Sequence, residues 1–94
     1  MDPFIEKHRD TIKKLAADRG AVRVRLFGSL ARGEGGPQSD IDLLVDLEEG
    51  RSALALGGLL MDLQERLGRR VDVVTPAALH PRIRDKVLEQ AVDL

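Results

Sequence analysis

Two stretches of this chain alternate residue by residue. In residues 22–27 (VRVRLF), Val22, Val24 and Leu26 fall on one side and Arg23, Arg25 and Phe27 on the other. In residues 41–47 (IDLLVDL), Ile41, Leu43, Val45 and Leu47 share one side, opposite Asp42, Leu44 and Asp46. A period of two belongs to a β-strand with one buried face. Strands covered on both faces of a parallel sheet read instead as unbroken apolar runs. The pattern predicts an α/β (α+β) chain: a small mixed β-sheet with helices packed on one face and the other face partly open.

The flanking segments read as helices. Residues 2–19 carry Asp2 as N-cap, Pro3 at the first helical position and Gly20 just past the end, with Ile5, Ile12, Leu15 and Ala16 on one stripe. Residues 53–67 form the clearest helix. Ser52 caps it, Leu56, Leu59, Leu60, Leu63 and Leu67 line one face, and Gly68 ends it. Gly57 and Gly58 inside it are expected to allow close helix–sheet packing. Residues 71–75 (VDVVT) are a third strand, stopped by Pro76, and Pro81 opens a last helix whose stripe is Ile83, Val87, Leu88 and Ala91. Ninety-four residues without repeat or linker predict one domain over 1–94.

Composition removes several function classes. With no cysteine there is no disulfide framework, thiolate zinc site or thiol nucleophile. Fifteen basic against 16 acidic residues give a net charge of −1. General nucleic-acid binding rests on phosphate neutralisation and calls for a basic excess. Trp and Tyr are absent, which removes the usual stacking platform for single strands. The N-terminal segment is charged throughout, unlike a signal peptide, and no apolar run approaches the ~20 residues that span a bilayer. A cytoplasmic chain without membrane contact is expected.

The chemistry sits between the first two strands. Gly28-Ser29 leaves the first strand, and Ser29-Leu30-Ala31-Arg32 can form a short helical turn. A loop with Gly33, Gly35, Gly36 and Pro37 follows, and then Asp40-Ile41-Asp42 opens the second strand. Asp40 and Asp42, two residues apart on an extended segment, present both carboxylates on one face, roughly 6.5–7 Å apart at the backbone. Two carboxylates so placed can converge on magnesium, which takes oxygen ligands from one or two carboxylates and substrate phosphates. Glycine lets the backbone approach a phosphate, and the Ser29 hydroxyl adds a donor. Asp46 shares the parity of Asp42 but lies about 13 Å along the strand, where it is expected to be solvated or ion-paired. Arg23 and Arg25 point away from the core and could reach the open face. His8 and His80 have no metal-ligand partner in sequence. Phe27 is expected in the core rather than stacked on a base.

The combination FGSLARGEGGPQSDIDLLVD, with GRRVDVVTPAAL and RIRDKVLEQAV downstream, resembles the minimal nucleotidyltransferases of the superfamily that includes DNA polymerase beta. The resemblance spans essentially the whole chain and implies the nucleotidyltransferase fold. It also implies a third carboxylate on a later strand, which Asp72 fits; the alternative for Asp72 is an ion pair with Arg69 or Arg70. By this resemblance Asp40, Asp42 and Asp72 are catalytic and hold two Mg2+ ions. Gly28 and Ser29 bind the nucleotide, and Arg32 steadies its phosphates by bidentate contacts. The resemblance further implies ATP as substrate and a HEPN-type toxin as hetero-oligomeric partner. AMP would pass to a tyrosine of that partner, since 94 residues leave no room for an acceptor-binding domain. Two alternatives are neutralisation of the partner by non-catalytic binding, and a stand-alone nucleotidyltransferase acting on a small molecule or RNA.

Overall fold

The computed structural model describes residues 1–94. Helix α1 (Pro3–Asp18) begins where the Asp2 carboxylate accepts from the amides of Phe4 at 3.0 Å and Ile5 at 3.2 Å. That satisfies two of the amides a helix start leaves without partners. Strand β1 (Ala21–Phe27) leads through a short helix α2 (Gly28–Ala31) and the glycine loop to β2 (Ile41–Leu47). Helix α3 (Ala53–Leu67) crosses over to β3 (Val71–Val74). The Ser52 hydroxyl caps its start and Gly68, at φ 65°, ends it, so both bounds fall where the sequence predicts. A 3-10 turn (Pro76–Ala78), helix α4 (Pro81–Gln90) and strand β4 (Val92–Asp93) complete the chain.

The sheet order is β3-β2-β1-β4. β1 runs antiparallel to β2 and β4, while β2 and β3 are parallel, as a strand–helix–strand crossover requires. The mixed sheet is therefore present. Ile5, Ile12 and Ala16 of α1 and Leu59, Leu63 and Leu67 of α3 pack with Val24, Leu26, Ile41, Leu43, Val45 and Val71 of the sheet in one core. Burying each large aliphatic side chain there stabilises the fold by roughly 1.5–3 kcal/mol.

Several expectations need correction. Val22 does not join Val24 and Leu26: it is 68% exposed. Ala21 pairs with Leu47 and Arg23 with Asp46, so Val22 is the extra residue of a β-bulge and parity shifts there. Gly58 serves a helix–helix rather than a helix–sheet contact. A Cβ on it would come within 2.6 Å of the Arg19 guanidinium, which pairs with Asp62 one turn along α3, while Gly57 faces open space. β3 stops at Val74, because Thr75 already starts the 3-10 turn. The two-residue β4 carries too little pattern to be seen in sequence, and it takes over the chain just after Ala91. No residue of α4 is buried, so its apolar stripe is only partly covered.

The second sheet face is also less open than alternation suggests. Leu44 is fully buried there, outside the main core. The 3-10 turn packs against β2. Arg25, opposite Leu44 on β1, is only 8% exposed and donates to Asp46 at 3.4 Å. Asp46 is thus ion-paired, as expected. Arg23 is turned to Asp93 in a two-bond pair at 2.8 and 3.0 Å, so both arginines are held in ion pairs. The face remains accessible at its other end, where β1 finishes and β2 begins.

Candidate active site

Three strands bring the candidate residues together. β1 ends at Phe27, which pairs across to Asp42, and Asp42 pairs on its other side with Asp72 of β3. Neighbouring strands lie about 4.8 Å apart, and partners in register point to the same face. Asp42 and Asp72 are therefore side by side on the accessible end of the second face, with Asp40 one alternation step before Asp42. Phe27 shares this face and is only half-buried, outside the main core, which corrects the expectation of a core residue.

Gly28 is demanded twice over. Its φ of 75° is a left-handed conformation that a side chain resists. A Cβ there would also run into the Asp42 carboxylate, with Cγ at 3.1 Å. The turn from β1 into α2 thus passes directly against that carboxylate. No side chain caps the start of α2, which leaves its opening amides free to meet an anion. Ser29 lies in this turn, half-buried. The loop then folds back: the Glu34 amide donates to the Ser29 carbonyl at 3.0 Å. Gly35 packs so closely on Leu30 and Ser29 that a Cβ would clash with Leu30. The sequence shows Gly35 as a loop glycine; its close packing on α2 is a tertiary fact.

Charge is concentrated at this end. Partial burial pushes the Asp42 carboxyl above the ordinary carboxylate range, and the nearby charges of Asp72 and Asp40 push it further, with Arg32 offsetting part of the effect. Arg32 itself lies on the surface and donates to Glu34 at 2.9 Å. It is close enough to Asp42 to act on its charge, but it is held by its neighbour. Arg70 approaches Asp40 at 3.6 Å, with both side chains largely exposed. Neither Arg70 nor Arg69 pairs with Asp72, so the ion-pair alternative for that residue falls away. His8 bonds to the Phe4 carbonyl and His80 caps α4, both away from this cluster.

These donors are hard oxygens on one surface, with repulsion among them that a divalent cation would relieve. Magnesium takes hard oxygen ligands, one or two carboxylates completed by substrate phosphates and water. The set fits such an ion together with a polyphosphate, and the Gly28–Ser29 turn stands where the phosphates would meet amides.

Comparison with known proteins agrees with this geometry. The profile of the nucleotidyltransferase domain matches residues 5–94. Protein adenylyltransferase MntA of Thermococcus cleftensis is 42% identical over 81 residues, covering 85% of this chain and 82% of that protein. A solved structure described as a candidate minimal nucleotidyltransferase superposes with a TM-score of 0.84 at 48% identity, over 96% of this chain and 92% of the other. A chain from a toxin–antitoxin crystal structure with AMP-PNP gives a TM-score of 0.75 at 27% identity, over 89% of this chain and 69% of its own. With the profile matched along nearly its whole length and the mixed sheet in place, this chain belongs to the nucleotidyltransferase domain family.

Proposed function

We propose that residues 1–94 act as one nucleotidyltransferase domain that transfers AMP from ATP to a tyrosine hydroxyl of a HEPN-type toxin, and so serves as its antitoxin. The observation that carries this reading is the side-by-side placement of Asp42 and Asp72, with Asp40 beside them, against the Gly28–Ser29 turn. The MntA relative and the toxin–antitoxin structure with AMP-PNP support the nucleotide and the kind of partner. The HEPN class and the tyrosine come from the family resemblance, as does a cytoplasmic setting. No helix of the chain is long and apolar enough to cross a membrane.

In this reading Asp40 and Asp42 would hold two Mg2+ ions, with Asp72 as a further carboxylate ligand to one of them. When bound, the ions supply charge that stabilises the entering and leaving oxygens of an in-line displacement. Asp72 is exposed and without an ion-pair partner, so its carboxylate can take the proton of the tyrosine hydroxyl. The hydroxyl oxygen bonds to the α-phosphorus, the bond to the bridging oxygen breaks, and pyrophosphate leaves. The Ser29 hydroxyl and the first amides of α2 bind the departing phosphates. Arg32 reaches them only by leaving Glu34, an exposed pair of the kind worth at most about 1 kcal/mol.

Mass spectrometry of a co-expressed partner tests the reading. The expected result is a partner heavier by one or more AMP groups with the wild-type chain and unmodified with Asp42→Ala. A tight complex with an unmodified partner in both cases would replace catalysis by occlusion.

A further inference from the structure

In the sequence Arg69 offers itself as an ion-pair partner of Asp72. It is turned the other way. One guanidinium nitrogen donates to the Ser39 carbonyl at 2.7 Å and to the Gly36 carbonyl at 3.1 Å. The guanidinium carbon lies 4.6 Å from the centre of the Phe4 ring. The two carbonyls bracket the last turn of the loop, which closes on itself where the Ser39 amide donates to the Gly36 carbonyl at 3.0 Å and the Gly36 amide donates to Ser39 Oγ at 2.9 Å. The next residue is Asp40. The Ile41 amide then donates to the Arg70 carbonyl at 3.0 Å, so the chain beside Arg69 also sets the first pairing of β2 with β3.

Resting on the proposed metal-dependent reading, we propose that Arg69 is a positioning residue. It bolts the end of the glycine loop to α1, and thereby fixes the direction from which Asp40 meets a divalent cation. The reasons are geometric. Asp40 is exposed, and the only side chain paired with it is the exposed Arg70. What aims it must therefore be backbone. That backbone is a glycine- and proline-containing loop whose Gly36–Ser39 bonds close its last turn locally but do not tie that turn to α1; Arg69 supplies the tie. One guanidinium nitrogen reaches both carbonyls while the flat cation stacks on the Phe4 ring; an ammonium keeps the charge and donors but has no planar face to lay on that ring.

Three readouts test this, using the full chain. The first is hydrogen exchange of the Ser39 and Ile41 amides without metal. In Arg69→Met the Ser39 amide should exchange at least about tenfold faster while the β1 amides keep wild-type protection. The second is Mn2+ binding in the presence of a non-hydrolysable ATP analogue, followed by electron paramagnetic resonance. Arg69→Met should weaken it about fivefold or more, and Arg69→Lys should fall between. The third is the steady state with the partner: kcat should drop about tenfold or more, with the half-saturating Mg2+ concentration raised and KM for ATP within about threefold. Should Arg69→Met not fold, Phe4→Leu, which removes the ring beneath Arg69 and its contact with His8 but keeps an apolar side chain against the core, should show the same signs in smaller measure. Wild-type exchange and wild-type Mn2+ affinity in Arg69→Met would overturn the proposal. Altered exchange and Mn2+ affinity with no AMP transfer by the wild type would instead overturn the adenylyl-transfer reading and leave the role of Arg69 standing.

Discussion

Asp42 carries its charge half-buried, between Asp72 in register beside it and Asp40 before it, with Arg32 offsetting part of their effect on it. Folding raises its pKa, so protonation favours the folded state. The stability linked to this group is full below the ordinary carboxylate range and is lost as pH rises through the raised value. Asp42→Asn should therefore melt above the wild type in metal-free buffer at neutral pH. The gain should shrink to nothing below pH ~4, near the ordinary Asp value. Solvent screening keeps it under about 1 kcal/mol, a shift of at most roughly 4–8 °C in a domain of this size. The same variant should be inactive, the usual exchange of stability for function. Gly28→Ala should cost about 2 kcal/mol or more in a denaturant titration, because it adds strain at positive φ to a clash with the Asp42 carboxylate. These residues were legible in the sequence because phosphate and metal chemistry needs Gly-Ser and paired carboxylates at fixed spacing on neighbouring strands. Arg25, Gly35 and Arg69 were not. Their importance lies in what the fold places against them, and an arginine reads the same whether it is solvated, buried or bridging.

At the scale of elements, local signals were reliable where a cap or a period set the structure. Asp2, Ser52 and Gly68 fixed the ends of α1 and α3 without help from the rest of the chain. The signal failed where a neighbour decides. The bulge at Val22 exists only in the pairing of β1 with β2, and β4 exists only because β1 offers an edge. Val22→Lys separates the two readings. The exposed bulge predicts a change within about 0.5 kcal/mol, whereas a core valine would cost several times that. β4 is held by the Arg23–Asp93 pair and by the Leu94 amide on the Val24 carbonyl. Arg23 holds the Asp93 carboxyl below its ordinary range, so this support is present above the unfolded-state pKa and is lost as pH falls through the folded one. The protection of the Leu94 amide, relative to an unstructured amide at the same pH, should accordingly fall below pH ~4, and at neutral pH in Asp93→Asn.

The whole molecule measures 35 × 32 × 18 Å. A thickness of 18 Å is that of a sheet and one helix layer, packed roughly 10 Å apart. The second face is covered where Leu44 and Arg25 lie and bare where Asp42, Asp72 and Asp40 gather. The sheet and its bare face followed from the polar alternation of β1 and β2. The partial cover did not, because the residues that provide it follow β3 in an irregular turn. In the proposed function this carboxylate surface is the donor side of a transfer whose acceptor belongs to the partner. In the proposed adenylyl transfer the α-phosphorus of ATP is the atom transferred. This is tested by incubating the purified chain and its partner with ATP labelled in the α- or the γ-phosphate. The expected result is partner labelling from the α-phosphate, none from the γ-phosphate, and none with Asp42→Ala. Labelling from the γ-phosphate, or α-labelling that survives Asp42→Ala, would contradict it.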